Sequence, residues 1–257
     1  NNTLTIKATD IKVNFETKIP VEIEEEGSTT VFCDKFLGIL SVLDEGEIVF
    51  ELQQKDNQTV ALIRHSTKKN KFQLKCTSQD KFPEFPIAEK VPFFEVPSKE
   101  IKKMISQTSF AVSADETRYF MNGVYFEKRD NKLVLVATDG RRLAYASKEF
   151  PEGIADFPAA IVHPKVLNIV AKHLSDEGNI SIAIVDKMIF FRFQNYELSS
   201  TLIDGQFPNY MRVIPESQSY SFQVQKSDLI GALKKTAVMV DKKAGRVGPS
   251  IIFFIPS

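Results

Sequence analysis

The sequence is poor in the features that mark disulfide-rich, membrane-spanning or secreted proteins. Its 257 residues include two cysteines, Cys33 and Cys76, and no tryptophan. Two cysteines without a framework spacing are typical of reduced thiols in a cytosolic protein. No apolar run approaches the roughly 20 residues that a membrane-spanning helix needs, and no signal-peptide pattern is visible. We therefore expect a cytoplasmic protein without a membrane partner, and a sequence that is cut at both ends.

The chain also lacks an excess of charge of either sign. Its 33 Lys and Arg residues balance its 33 Asp and Glu residues. A net charge of zero argues against a protein that simply coats nucleic acid. It still allows a protein that carries positive charge on one surface and negative charge on another.

Catalytic motifs are equally scarce. The histidines are His65, His163 and His173. They have no metal-ligand spacing with one another or with the cysteines, so neither a metal nor a cofactor is expected. No Gly-x-Ser-x-Gly elbow is present, and Gly245-Arg246-Val247-Gly248 is too short for a phosphate-binding loop. Asp139 and Asp204 could form a carboxylate pair, but both adjoin glycine in turn-like contexts. An α+β hydrolase is therefore only an alternative, and no catalytic residue is assigned.

What the chain does contain is an internal repeat of domain size. The segment Asn2–Asp10 returns as Asn131–Asp139, and Lys71–Leu74 returns as Asn195–Leu198. Both members of the second pair lead to a Phe-Pro turn. The copies are about 125 to 129 residues apart, which is the size of a domain. The chain therefore contains a duplicated domain.

A finer repeat places a short amphipathic helix after a strand four times. The four openings are Phe32–Lys35, Val96–Lys99, Val162–Lys165 and Val224–Ser227. Apolar residues at three- and four-residue steps predict one buried stripe on each helix. The stripes are Phe36, Ile39, Leu40 and Leu43; Ile101, Met104 and Ile105; Leu167, Val170 and Leu174; and Leu229, Ala232 and Leu233.

Alternating residues between the helices predict antiparallel strands, with Asp186-Lys187 as a hairpin turn. The predicted strands are Ile48–Leu52, Val60–Arg64, Phe72–Cys76, Ile180–Ile184, Met188–Phe193 and Tyr196–Leu202. The fold class is therefore α+β, with repeated domains of two helices packed on antiparallel sheets. We expect the second half of a domain at residues 1–90, a complete domain at 91–214 and the first half of a third at 215–257.

Three segments resemble the β subunit of bacterial DNA polymerase III, the sliding clamp family. They are Thr117–Glu127, Leu135–Ala144 and Leu202–Pro215. The resemblance covers essentially the whole chain and implies the DNA-clamp fold. It implies a non-catalytic processivity factor, a head-to-tail homodimeric ring that encircles double-stranded DNA without reading its sequence. The implied protein partners are the DNA polymerase III α subunit, the clamp loader and other proteins with short clamp-binding motifs. The alternative is a repeat-built interaction scaffold that does not bind DNA.

The helices are net basic in a chain of zero net charge, which suits a surface that surrounds phosphates without reading bases. The candidate DNA-facing residues of the helical segments are Lys99, Lys102, Lys103, Lys165, Lys172, Lys234, Lys235 and Arg246. The resemblance adds Arg118 and Tyr119, from a loop that approaches DNA in the family. Lysine on a solvated helix face is commonplace, and the loop could instead be the start of a strand.

The two copies of the Ala-Thr-Asp motif diverge after the aspartate. The first copy is expected to continue as an ordinary strand through Ile11-Lys12-Val13, whereas the second continues as Gly140-Arg141-Arg142-Leu143. A shared scaffold with one altered copy suggests a site on the altered copy. In the family, this segment helps to form the hydrophobic pocket that captures short linear motifs, together with a C-terminal segment that this sequence lacks.

Carried over residue by residue, the resemblance implies a partner-peptide pocket. Its residues would be Met121, Thr138, Gly140, Arg141, Arg142, Leu143, Pro208, Arg212 and Val213. Gly140 would allow a tight turn, and the apolar members would form the walls. Arg142 could donate a hydrogen bond to a peptide carbonyl, whereas the role of Arg141 stays open. The resemblance also implies ring-closing contacts by Phe72 and Leu74, with Met239 and Val240 on the partner surface.

Overall fold

The computed structural model of the chain describes residues 2–55, 58–78, 80, 82–86, 91–150, 153–215, 217 and 219–237. It divides into two compact units, one of Asn1–Val91 with Phe190–Ser200 and one of Pro92–Ile189 with Thr201–Ser257. The α-helices of the described residues are α1 (Cys33–Val42), α2 (Ser98–Thr108), α3 (Pro164–His173) and α4 (Lys226–Ala237). The strands are β1 (Thr3–Thr9), β2 (Val13–Pro20), β3 (Ile48–Lys55), β4 (Gln58–His65), β5 (Lys71–Lys75), β6 (Phe94–Pro97), β7 (Val124–Arg129), β8 (Lys132–Thr138), β9 (Leu143–Glu149), β10 (Ala160–Val162), β11 (Asn179–Val185), β12 (Met188–Phe193) and β13 (Tyr196–Thr201).

The predicted α+β class is confirmed, and each α-helix starts within its predicted opening. Pro164 is the first residue of α3, where its missing N–H costs no intrahelical hydrogen bond. The Nδ1 of His163 accepts a hydrogen bond from the backbone N–H of Lys165 at 3.1 Å and caps the same helix. None of the described helices is long and apolar enough to cross a membrane.

In the second unit, a sheet with the strand order β10-β7-β8-β9 packs on α2. The predicted stripe of α2 is confirmed, because Ile101, Met104 and Ile105 are all buried. Each such side chain contributes about 1.5–3 kcal/mol relative to an exposed position. Residues 133–138 of β8 are all buried, because α2 covers one face of the strand and the segment after β13 covers the other.

In the first unit, α1 packs on a sheet with the strand order β3-β4-β5. Phe36, Ile39 and Leu43 of the predicted stripe contact a cluster formed by buried residues of β4 and β5. Strand β13 pairs with β2 in the same unit, with Leu198 opposite Phe15. Asp186 and Lys187 join β11 to β12 with φ of 48° and 65°. Positive φ at both central residues is typical of a type I′ hairpin turn, so the predicted turn is confirmed.

The stripe predicted on α4 is not buried in the described part of the chain. This helix has no buried residue, and Leu233 is exposed. An apolar stripe lowers the free energy of the folded chain only where another element covers it. The described residues provide no such cover for α4.

The expectation of an ordinary strand through Ile11-Lys12-Val13 is wrong. Ile11 and Lys12 form a turn between β1 and β2, and β2 begins at Val13. The Oδ1 of Asp10 accepts hydrogen bonds from the backbone N–H groups of Lys12 and Val13, at 3.1 and 2.8 Å. These bonds close the turn and hold Ile11 at a φ of 79°. The carboxylate offers the backbone a local alternative to strand pairing, which apolar alternation alone does not reveal.

Candidate functional site

The turn after β8 is closed by two side chains. The Oγ1 of Thr138 accepts a hydrogen bond from the N–H of Gly140 at 3.1 Å and donates one to the carbonyl of Arg142 at 2.7 Å. The Oδ1 of Asp139 accepts hydrogen bonds from the N–H groups of Arg141 and Arg142, at 2.9 and 3.0 Å. Gly140 has a φ of 83°, in the left-handed region that favours glycine. The tight turn expected at this position is therefore present.

The guanidinium of Arg142 is held from two directions. Its Nε donates to Oδ2 of Asp139 at 3.1 Å, and its Nη2 donates to the carbonyl of Phe110 at 2.9 Å. The guanidinium carbon also lies 5.5 Å from the centre of the Phe110 ring, within the range of a cation–π contact. Phe110 belongs to the short 3₁₀ helix Ser109–Ala111 that follows α2, and its side chain is 59% exposed.

The turn stabilises the charged form of the Asp139 carboxyl group. Its partial burial acts to raise the pKa. The hydrogen bonds from the N–H groups of Arg141 and Arg142, with the charge and side-chain bond of Arg142, outweigh this effect and lower the pKa below its usual value. The charged carboxylate fixes both the turn and the Arg142 side chain.

Arg118 lies beside the same turn. It lies at the kink within the 3₁₀ segment Glu116–Met121, and not at a strand start. Its Nε donates to Oδ2 of Asp115 at 3.0 Å. A Cβ built on Gly140 would lie only 3.0 Å from Nη1 of Arg118. The structure therefore brings a residue predicted to face DNA next to a residue predicted to line the pocket.

Tyr119 and Phe120, which follow Arg118, lie against a second glycine. A Cβ built on Gly205 would lie 3.3 Å from the Tyr119 ring and 3.2 Å from Cβ of Phe120. Gly205 has a φ of 125°, which other residues rarely adopt. The Tyr119 side chain is exposed at this position, whereas Phe120 packs against the buried cluster around Phe207.

The predicted apolar walls differ in their exposure. Leu143 packs on a cluster of buried residues from β8, β10 and the segment after β13, where the Phe207 ring stacks on Tyr125 at 4.7 Å. Pro208 is half-buried, and Arg212 and Val213 are exposed. The hydroxyl of Tyr210 donates to the carboxylate of Glu127 and anchors this segment to β7. Burial, followed by the bond to Glu127, raises the pKa of Tyr210.

Met121 does not form an accessible wall in this structure. Its side chain is only 5% exposed, and its carbonyl accepts a hydrogen bond from the N–H of Ser113 at 3.0 Å. Met121 therefore supports the 3₁₀ helix from within the unit. Its assignment to the pocket stays a prediction that would require this side chain to move.

Sequence reasoning missed Phe110. The residue lies 32 positions before Arg142, and an aromatic residue at the end of an amphipathic helix is ordinary by itself. No spacing in the sequence connects the two residues. Only the packing of α2 against β8 and β9 brings the end of the helix to the turn.

The basic residues of α2 differ in their surroundings. Lys99 and Lys103 are exposed, and the only acidic residue of the helix, Glu100, pairs with Lys148 of β9 at 3.6 Å. Lys102 is instead bound within the unit, because its Nζ lies 2.8 Å from Oδ1 of Asp176 and 3.3 Å from the carbonyl of Leu174. This pairing lowers the pKa of Asp176 and makes Lys102 a weaker candidate for a phosphate contact than its neighbours.

The other candidate DNA-facing residues lie on two further helices. Lys165 and Lys172 of α3 and Lys234 and Lys235 of α4 are exposed. Arg246 lies outside the described residues. The helices α2 and α3 contact each other, so their lysines belong to one packed pair of helices.

The predicted ring-closing strand β5 lies at the edge of its sheet. Phe72 is partly exposed there, but the Leu74 side chain is only 7% exposed, in the cluster that α1 covers. The Leu74 side chain therefore packs inside its own unit, and its place in a ring-closing contact stays a prediction. Met239 and Val240 lie outside the described residues.

The two carboxylates of the hydrolase alternative have different partners. Asp139 is bound to its own turn and to Arg142, whereas Asp204 lies 3.8 Å from Nζ of Lys187. Across the described part of the chain, no group of three His, Cys, Asp or Glu side chains is arranged to hold a metal ion. Each of the two carboxylates therefore has a basic partner of its own.

Comparisons with known proteins agree on one family. Residues 1–86 match the model of the DNA polymerase III beta subunit, N-terminal domain, and residues 95–209 match that of its central domain. The beta sliding clamp of Treponema pallidum is 44% identical over 244 residues, which are 95% of this chain and 65% of that protein. The corresponding protein of Halalkalibacterium halodurans is 30% identical over 92% of this chain and 64% of its own length. The chain thus spans slightly less than two thirds of the length of each of these two relatives.

Solved structures give the same result. A structure of the Caulobacter crescentus beta sliding clamp, with PEG bound to a putative beta-motif tethering region, is similar with a TM-score of 0.87 and 27% identity. A sliding clamp from Bartonella birtlesii bound to griselimycin is similar with a TM-score of 0.84 and 31% identity. Each similarity covers 95% of this chain and 65% of the other. Because two domain models of one family match in chain order and a relative is 44% identical, the chain belongs to the family of bacterial DNA polymerase III beta subunits, the β sliding clamps.

Proposed function

We propose that the protein is a non-catalytic sliding clamp that encircles double-stranded DNA and tethers the replicative polymerase to it. Its protein partners are the DNA polymerase III α subunit, the clamp loader and other replication and repair proteins with short clamp-binding motifs. It acts as a head-to-tail homodimeric ring in the bacterial cytoplasm, associated with the nucleoid. The domain division at 1–90, 91–214 and 215–257 and the ring-closing role of β5 belong to the same proposal.

The observation that carries the proposal is the duplicated hairpin with one altered copy. Strands β1 and β2 pair with Thr9 opposite Asn14, and β8 and β9 pair with Thr138 opposite Leu143 in the same relative register. Only the second copy adds an exposed guanidinium and an apolar residue that packs beside the segment after β13. This combination suits an extended peptide, because apolar walls supply affinity and a few polar groups orient the ligand.

Support for the DNA contact comes from the exposed lysines of α2. Lys99 and Lys103 are exposed, and the acidic residue of the helix, Glu100, is paired with Lys148. Lysine contacts to phosphates are independent of sequence and weaken with salt, as a sliding protein requires. The scaffold without DNA binding remains the second candidate, since lysine is also common on solvated helices.

The peptide site is tested with a fluorescent peptide that carries a Gln-x-Leu-x-Phe motif. The unmodified chain is expected to bind with a dissociation constant on the order of tens of micromolar, about −6 kcal/mol. A Leu143→Asp variant should lose this binding, because a charge would enter the apolar wall. The matched control is Leu37→Asp, which changes an exposed residue of α1 in the other unit. Equal binding by the Leu143→Asp variant would contradict the assignment.

The DNA contact is tested by titrating a labelled duplex over a range of salt concentrations. A Lys99→Ala, Lys103→Ala double variant should bind more weakly and show a shallower salt dependence, by about 0.9 in log–log slope for each phosphate that the variant no longer neutralises. The control is Lys12→Ala, Lys69→Ala, which removes the same charge from the first unit. If the affinity for DNA depended equally on salt concentration in both double variants, the scaffold that does not bind DNA would be favoured.

A further inference from the structure

We propose that Phe110 is a positioning residue of the partner-peptide site, which holds the Arg142 guanidinium in the orientation that receives the ligand. The inference rests on the proposed function of the turn. Phe110 does this with two groups, its backbone carbonyl and its ring. The carbonyl accepts a hydrogen bond from Nη2, and the ring faces the guanidinium carbon.

The contacts to Arg142 are unusual for a side chain at the surface. The Arg142 side chain is 49% exposed, yet Asp139 and Phe110 restrain it from two sides. A free arginine side chain carries about 2 kcal/mol of rotamer entropy, much of which is lost when a ligand immobilises it. Restraint before binding reduces this entropic cost, so the Arg142 side chain is preorganised for a ligand.

The turn does not need the arginine for its own stability. In the β1–β2 hairpin, the equivalent position is occupied by Val13, whose N–H makes the same hydrogen bond to the preceding aspartate. The backbone of both turns is therefore satisfied without a guanidinium. Arg142 and its contacts with Phe110 are additions to a turn that is already closed.

The remaining donors of Arg142 define what it can bind. A guanidinium has five N–H donors, and Asp139 and Phe110 use one each, so three remain. These donors match the carbonyl oxygens of an extended peptide or a carboxylate at its end. The exposed side of the Phe110 ring lies next to them, so the peptide would meet a fixed donor beside an apolar surface.

The test uses the full chain with Phe110→Leu and Phe110→Tyr variants, and two readouts. The first is the Arg142 Nε–H signal in an NMR spectrum, which reports the restraint without any peptide. The second is the dissociation constant of the peptide with the Gln-x-Leu-x-Phe motif. Because Phe110 is largely exposed, neither variant opens the buried core.

The Phe110→Leu variant should speed the exchange of the Nε–H with solvent and weaken peptide binding roughly 2- to 5-fold. Phe110→Tyr should keep the exchange rate and the peptide affinity close to those of the unmodified chain, since it keeps the aromatic face. In an Arg142→Ala background, Phe110→Leu should cause no further loss of binding. An unchanged Nε–H signal in Phe110→Leu, or an equal loss of binding in the Arg142→Ala background, would overturn the inference. If the unmodified chain did not bind the peptide, the proposed function would be wrong. The NMR signal would still show whether Phe110 restrains the Arg142 side chain.

Discussion

Ile11 and Gly140 occupy the same position in two equivalent turns, with φ of 79° and 83°. Each follows a Thr-Asp pair, and in each turn the N–H of this residue bonds to the threonine Oγ1, at 2.9 Å for Ile11 and 3.1 Å for Gly140. The left-handed region costs an L-residue about 1–2 kcal/mol, and a β-branched residue there is a conformational outlier. The duplicated turn therefore imposes one backbone geometry, which glycine adopts without strain and isoleucine adopts only at an energetic cost.

Replacing Ile11 with asparagine should stabilise the chain. Asparagine tolerates the left-handed region, and the Ile11 side chain is 84% exposed, so no packing is lost. We expect Ile11→Asn to raise the free energy of unfolding by about 0.5–1 kcal/mol, measured by urea denaturation. Lys12→Asn, one residue further along the turn, is the control and should give no such gain. A loss of stability in Ile11→Asn would show that the isoleucine is held by contacts other than the turn.

Replacing Gly140 with alanine should destabilise the chain through backbone strain and should also displace the Arg118 side chain. The new Cβ would adopt a φ of 83° and would lie 3.0 Å from Nη1 of Arg118. Gly178→Ala is a matched control, because Gly178 has a φ of 78° and open space around it. We expect both variants to lose about 1 kcal/mol from strain. Only Gly140→Ala should also weaken binding of the motif peptide, because Arg118 must move.

Removing the Thr138 hydroxyl should open the turn. Thr138→Val keeps the shape of the side chain but removes the hydrogen bonds to the carbonyl of Arg142 and from the N–H of Gly140. We expect the free energy of unfolding to fall by about 1–3 kcal/mol, because two backbone groups lose their partner at a largely buried position. Thr138→Ser, which keeps the hydroxyl, should recover most of this loss. Equal stabilities of the two variants would argue against the role of the hydroxyl.

The charge of Asp139 should make part of the stability depend on acid pH. Its pKa in the folded chain lies below the ordinary value of 3.8. A lowered pKa contributes stability that is fully present above the unfolded value and is lost as pH falls through the folded value. We therefore expect the stability difference between the unmodified chain and Asp139→Asn to be largest at neutral pH and to shrink below about pH 4. Urea denaturation of both chains at several pH values measures this difference in the free energy of unfolding. A difference that is independent of pH would contradict this prediction.

The sequence alone determined the local elements and their duplication. The stripes of α2 and α3, the alternation in β11 and the turn at Asp186-Lys187 depend on residues within a few positions of each other. Hydrophobic periods of 3.6 and 2 residues are readable without knowledge of the fold, because they reflect the geometry of a single helix or strand. The repeat also predicted where a candidate site lies. This is the second copy of the turn, whose sequence differs from that of the first copy.

The tertiary structure alone decided which side chains act together at that site. It placed Phe110 against Arg142 and Arg118 against Gly140, bound Lys102 to Asp176 and buried Met121. These contacts join residues that are far apart in the chain, and no local pattern records them. Their energies depend on distances, burial and hydrogen-bond directions that exist only after α2 has packed on the sheet. A sequence pattern specifies which elements form, whereas the contacts between elements follow from their packing.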